Sequence, residues 1–181
     1  MRGGRGADDP DHGRARPGRV RRVGPAKPRA AGAGRRTHRA VRRTVGVQPH
    51  HGRYVSSTLG VLQLLDGLPN HLKLVWDAAH DALAGDHPAV TLELGADRLG
   101  IVNLKNVHYT RTDGTWRTQF VEAEDGLSDW PAVFAAMRQV NYNGPVCLTG
   151  QYSDPATPVE ERLRKDLHFA VTSAAQHPSR E

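Results

Sequence analysis

An α/β architecture of four parallel strand–helix units is what this 181-residue sequence predicts. Three observations carry it. Short apolar runs alternate with longer stretches of helical periodicity, turn-forming residues punctuate them, and polar residues recur at the end of every apolar run.

The first strand is Thr44-Val45-Gly46-Val47-Gln48, and a helix follows from Ser56 to Leu68, with Leu59, Leu62 and Leu65 at helical spacing. Lys73 to Asp77 is the second strand, and His87 to Leu99 its helix, with Pro88 suited to the first turn. Gly100 to Leu104 is the third strand. A long polar loop, Tyr109 to Leu127, precedes a helix that starts at Ser128-Asp129-Trp130-Pro131 and runs to Val140. Pro145 to Thr149 is the fourth strand, and Thr157-Pro158-Val159-Glu160 opens the last helix, with Leu163, Leu167, Ala170 and Val171 on its apolar face. Four such units make either an open parallel sheet or half of an eight-stranded barrel, which takes about 250 residues when whole.

Composition divides the chain near Thr44. Residues 1–44 hold 14 of the 25 Lys and Arg, 3 of the 19 Asp and Glu, and no Leu, Ile, Phe, Trp or Tyr. A segment with so little to bury cannot offset its conformational entropy, and disorder is expected. The formal net charge of +6 therefore comes from a basic leader attached to a mildly acidic domain. The leader reads as a nucleic-acid-binding arm, as a transit-like peptide, or as the product of a GC-rich gene read in a wrong frame; the last is preferred. Residues 177–181 form a short tail.

One cysteine, Cys147, excludes an internal disulfide, and its apolar neighbours Val146 and Leu148 predict a buried, inert thiol in a reducing cytoplasm. No run approaches the roughly 18 apolar residues of a membrane span, and the leader lacks the apolar core of a secretory signal.

Chemistry in parallel α/β folds gathers at the C-terminal ends of strands. Those positions hold Gln48 with His50 and His51, Asp77 with His80, Asn103 with Lys105 and Asn106, and Gln151. Asn103, Lys105 and Arg111 suit a polar substrate, because amides and cations donate to hydroxyls and phosphates. Trp76 alternates away from Asp77 and belongs to the core.

Four stretches resemble the xylose-isomerase-like (β/α)₈ barrels of sugar phosphate isomerases and epimerases. Val45 to Gly52 is similar to the strand that ends in Glu-Asn-His, and Trp76-Asp77-Ala78-Ala79-His80 to an Asp-x-x-His. Ile101 to Asn106 is similar to a His-hydrophobic-Lys-Asp strand, and Asn141 to Asp154 to a closing Gly-Tyr-x-Gly strand that ends in Glu. The resemblance implies that residues 45–176 form the C-terminal half of a TIM barrel. It implies a cytoplasmic isomerase or epimerase acting on a sugar or sugar phosphate, with metal-assisted proton transfer between adjacent carbons.

The family's ligands fall on Gln48, Asp77, Asn103 and Gln151, of which only Asp77 keeps the expected residue. Gln48 and Gln151 then take the catalytic carboxylate positions, Asp77 and His80 the metal positions, and His50, Asn103, Lys105 and Arg111 the substrate positions. With two carboxylates replaced by amides, a divalent metal (Mn²⁺ or Mg²⁺, with Zn²⁺ the other option) is expected to be held weakly or not at all. An amide also cannot serve as a general base, so a non-catalytic carbohydrate-binding relic is the alternative. Half a barrel exposes two strand edges, which implies self-association; no membrane partner is expected, and nucleic acid only through the leader.

Overall fold

In a computed structural model of the protein, which describes residues 43–175, the four expected strands are β1 (Val45–Val47), β2 (Leu72–Asp77), β3 (Leu99–Leu104) and β6 (Val146–Leu148). They form one sheet in the order β1-β2-β3-β6, every pairing parallel. The leader and the tail lie outside the described residues, apart from Arg43 and Thr44. Helices α1 (Thr58–Leu65), α3 (Pro88–Gly95), α4 (Trp130–Gln139) and α5 (Val159–Ala175) follow the strands in turn. Their starts are fixed chemically: the Ser57 hydroxyl accepts from the Gly60 amide at 3.2 Å, and Asp129 Oδ1 from the Ala132 amide at 3.0 Å.

Alternation gives the sheet two different faces. Leu74 and Trp76 of β2 and Val102 and Leu104 of β3 point to the helix side, where they meet Val61, Leu65, Leu92, Val133 and Phe134. Trp76 is fully buried, and its indole N–H donates to the Thr91 hydroxyl at 2.9 Å, so it serves the core as expected. Gly46, Val75, Ile101 and Cys147 lie on the opposite face, which no helix covers among the described residues.

Sequence and structure differ in four places. Cys147 is exposed, because alternation places it on that uncovered face, in register with Asn103. A short helix, α2 (Ala78–Ala84), starts directly after β2, with Asp77 as its cap. The polar loop after β3 is a hairpin, β4 (Asn106–Thr112) and β5 (Thr115–Val121). Its tip is Asp113-Gly114, both at positive φ (50° and 75°), the backbone that a two-residue turn demands.

The fourth difference concerns α5, whose inward side is partly polar. Arg162, Asp166, Ala170 and Ser173 are buried, while Leu167 and Val171 are exposed. This helix covers the end of the hairpin and the loop after β6, where backbone amides and charges need partners. Arg162 pairs with Glu122 at 3.4 Å and Asp154 at 2.9 Å. Asp166 accepts from the Ala123 amide and the Tyr152 hydroxyl, each at 2.8 Å.

Asn106 locks the route from the hairpin to α4. Its Nδ2 donates to the carbonyls of Ala123 (2.6 Å) and Ser128 (2.9 Å), and its Oδ1 accepts from the amides of Ser128 (2.8 Å) and Val107 (3.0 Å). A Cβ on Gly126 would stand 2.2 Å from this side chain, so the loop passes there only as glycine. Fully buried and fully used, Asn106 is not free to meet a substrate. Asn106→Ala would strand these buried amide and carbonyl groups and should cost about 2–4 kcal/mol. Urea denaturation of the two proteins checks it: the variant's midpoint should fall with its m-value unchanged.

Candidate functional site

Register sets the site. Asp77 and Asn103 are paired directly across β2 and β3, and Gln48 follows β1 one residue beyond its last paired position. All three side chains leave the uncovered face at the C-terminal edge of the sheet, and they meet. Gln48 Nε2 donates to Asp77 Oδ2 at 2.5 Å, and Asn103 Nδ2 donates to the same oxygen at 2.6 Å. The hydroxyl of Thr149, just past β6, donates to Asn103 Oδ1. One belt of hydrogen bonds thus crosses the ends of all four strands.

Lys105 fills the single-residue gap between β3 and β4, with buried neighbours on both sides. Its Nζ lies 3.3 Å from Asp77 Oδ2, 3.1 Å from His80 Nε2 and 3.4 Å from Gln151 Oε1. The ring of Phe120, on the hairpin, stands 5.3 Å from the same nitrogen. Phe120 is tied in turn to the loop that carries Gln151: its amide donates to the Ser153 hydroxyl, and its carbonyl accepts from the Ser153 amide, both at 2.9 Å.

His80 sits in the first turn of α2, buried, where its backbone N–H donates to Asp77 Oδ1 at 3.0 Å. Its ring Nδ1 accepts from the His51 amide at 3.2 Å, so the neutral ring carries its proton on Nε2, facing Lys105. Burial pulls this imidazole down from 6.5 to about 4; the charge of Asp77 opposes that, and Lys105, His50 and His51 add to it. His50 stacks on it with ring centroids 4.4 Å apart. Nδ1 of the exposed His50 donates to the His51 carbonyl at 2.9 Å, so its Nε2 keeps the lone pair.

The sequence-derived positions are brought together except Arg111, with two adjustments among the rest. Gln151 joins only through Lys105, and His80 lies inside the cluster rather than at its edge. Arg111 stands apart near the hairpin tip, its Nε donating to the Gly114 carbonyl at 3.4 Å. Thr149, Phe120 and Ser153 were not read from the sequence. The dipeptide Asp113-Gly114 was the available signal, since placing a hairpin there puts Phe120 back beside the strand ends.

Whether this set suits a divalent cation is a matter of donor chemistry. Both Asp77 oxygens already accept, Oδ2 two hydrogen bonds beside the Lys105 ion pair and Oδ1 one, and the carboxylate is fully buried. The amides of Gln48 and Asn103 turn their NH₂ groups towards it. Among the described residues no group of three or more His, Cys, Asp or Glu could hold a metal. Hard divalent ions need several oxygen donors, carboxylates among them, and the residues present do not fit one.

The match to known proteins follows the same lines. The family model of the xylose isomerase-like TIM barrel matches residues 3–171, a span that also reaches through the Arg-rich segment. Inosose dehydratase of Lacticaseibacillus casei is 26% identical over 148 residues, covering 72% of this chain and 49% of that protein. The chain thus spans about half the length of the curated relatives it matches. Among solved structures, the IOLI protein with a binding zinc atom superposes at a TM-score of 0.54 with 15% identity, over 70% of this chain and 46% of that one. An L-ribulose 3-epimerase gives 0.54 with 14% identity, over 66% and 42%. No helix among the described residues is long and apolar enough to cross a membrane. With parallel strands, strand-end polar residues and family model in agreement, this chain belongs to the xylose isomerase-like TIM barrels.

Proposed function

We propose that the protein binds a small sugar-like polyol, or its phosphate, at the C-terminal ends of its strands, and that binding does not depend on metal. One observation carries the reading. Lys105 Nζ and the protonated Nε2 of His80 are donors side by side, 3.1 Å apart, with no acceptor between them. A ligand oxygen within reach of both relieves that contact. Gln151 Oε1 beside Lys105 and Nε2 of His50 at the rim supply the acceptors that ligand hydroxyls need. Such alternation of donors and acceptors suits a polyol, and the ammonium also suits a phosphate.

Isomerase or epimerase chemistry, moving a proton between adjacent carbons, requires a base. Asp77 is engaged by three hydrogen bonds and the Lys105 ion pair, Gln48 and Gln151 are amides, and His80 accepts at Nδ1 and carries its proton on Nε2. That leaves His50, whose Nε2 would have to act without a neighbouring carboxylate. The site therefore favours binding over turnover. The uncovered sheet face and the margins β1 and β6, where Val45 and Val146 are exposed, also support self-association through those edges.

Calorimetric titration with a panel of free and phosphorylated sugars tests the reading. At least one should bind with the same affinity in EDTA as without it, and Lys105→Met should weaken it by tenfold or more, about 1.4 kcal/mol. Failure of the whole panel in a folded sample, or binding abolished by EDTA, would remove the proposal. Solvent deuterium appearing on a ligand carbon would favour the isomerase reading instead. Sedimentation velocity should show a species larger than one chain.

The neutrality of His80 has its own consequence. Between about pH 4 and 6.5 the unfolded chain protonates this ring and the folded one does not, so stability from His80 is full above 6.5 and falls with acidification through that window. Asp81, which accepts from the Thr58 hydroxyl at 2.8 and 3.0 Å, is pushed up to about 6 by burial and contributes the opposite slope from 3.8 to 6. Comparison with His80→Gln cancels the Asp81 part. The stability of the parent relative to that variant should rise with pH by up to about 1.4 kcal/mol per unit across the window. Urea melts at half-unit steps would show it, and a flat difference would mean that His80 is charged.

A further inference from the structure

We infer that two copies of this chain close one eight-stranded parallel barrel, β6 of each beside β1 of the other, with both sets of strand-end groups around a single mouth. The inference deepens the self-association proposed above, and it does not depend on whether a sugar binds.

The two free edges carry the argument. In β1 the Val45 amide donates to the His71 carbonyl, so alternate residues bond to β2 and the N–H and C=O of Gly46 face out of the sheet. In β6 the Pro145 carbonyl accepts from the Val102 amide and the Thr149 amide donates to the Leu104 carbonyl, so Val146 and Leu148 face out. Closure fixes how these edges meet. Cα partners lead from Gln48, one residue past β1, through Val75 and Ile101 to Pro145, one residue before β6. An eight-stranded barrel of shear eight returns to its first strand eight residues displaced, which is four for each half under twofold symmetry. The pairing already drifts towards the N-terminus, so Pro145 falls opposite Thr44 of the second copy. Val146, Cys147 and Leu148 then meet Val45, Gly46 and Val47, one whole strand against the other.

That register also satisfies two requirements it was not built on. It joins the outward backbone groups, Val146 N–H to the Thr44 carbonyl, Gly46 N–H to the Val146 carbonyl and Leu148 N–H to the Gly46 carbonyl. It also sets Cys147 beside Gly46, so inner-face residues pair with inner-face residues. Thr149 comes opposite Gln48 of the second copy, and the belt from Gln48 to Thr149 continues into its counterpart around the mouth. Burial points the same way. Val45 and Val146, on the helix side of the two edges, are exposed, as are Leu167 and Val171, one turn apart on α5. This helix packs on α4 and β6, and a right-handed crossover places its other flank beyond the β6 edge, where β1 of the second copy enters. The inner face is roughly 19 Å wide at four strand spacings, and the α5 flank is about 25 Å long. With both edges they offer on the order of 800 Å² per copy, the size of a standard stable interface.

Sedimentation of the full chain and of Val146→Pro provides the test. The full chain should run as two copies with nothing larger, because closure leaves no free edge. Proline at 146 removes only an N–H that faces out of the single chain, as edge strands tolerate. This variant should keep the parent's far-UV circular dichroism and associate at least tenfold more weakly. A full chain that stays single at micromolar concentration, an open-ended series of larger species, or a folded Val146→Pro that pairs as tightly as its parent would each overturn the inference, whatever the sugar titrations give. Should the variant not fold, amide hydrogen exchange of the unaltered chain decides. Gly46, Val146 and Leu148 should exchange at least a hundredfold more slowly than unprotected amides, and fast exchange at these three would mean that the edges are open.

Discussion

A buried carboxylate needs partners, and in this protein Asp77 finds them in two directions at once. Oδ1 accepts the His80 amide in the first turn of α2, which caps that helix. Oδ2 gathers Gln48, Asn103 and Lys105 from the neighbouring strand ends. Helix placement and site assembly are therefore one electrostatic arrangement. Loss of Lys105 would leave a buried charge uncompensated, a situation that commonly costs several kcal/mol, so the ion pair matters to the fold as well as to any ligand.

This arrangement also bears on how four strands hold together in a sheet whose margins are β1 and β6. In a closed barrel each strand has two neighbours, and closure restrains the ends. Here the belt from Gln48 through Asp77 and Asn103 to Thr149 ties all four strands at their C-terminal ends. The core on the helix side, from Val61 to Phe134, secures the opposite face. The uncovered face remains, with Val75, Ile101 and Cys147 on it, and apolar or weakly polar groups there gain by contact with another surface.

Much of this was legible in the sequence because strand periodicity and strand-end position are local properties. The four parallel strands, the meeting of Gln48, Asp77 and Asn103, and the packing of Trp76 all follow from alternation plus parallel register. What was not legible depended on neighbours distant in sequence. Cys147 reads as buried from its own apolar run, but it lies on a face that no layer covers among the described residues. Leu163, Leu167, Ala170 and Val171 of α5 read as its inward stripe, and of these Ala170 is buried and Leu163 half-buried, while Leu167 and Val171 are exposed. Besides α4, the helix meets the hairpin end and the loop after β6, whose amides and charges recruit Arg162 and Asp166. The hairpin is a different case: Asp113-Gly114 signalled it, and the polar flanking strands masked the signal. Lys105 was placed at the site as a substrate group, but its pairing with Asp77 required the distance.

Several carboxylates converging at one point repel each other, and such a site is stable only with an ion present or with some of its acids protonated. The set Gln48, Asp77, Asn103 and Gln151 has no such dependence. Gln48 and Asn103 donate their NH₂ groups to Asp77, so at Gln48 an amide in place of an acid turns competition into support for the one anion that remains. A cation is still needed to balance that anion, and the chain provides it covalently, at Lys105. The price is chemical, since the groups that would carry protons between carbons are the same ones that were neutralised. On the proposed reading, metal-independent binding and weak proton transfer both follow from the amides at Gln48 and Gln151.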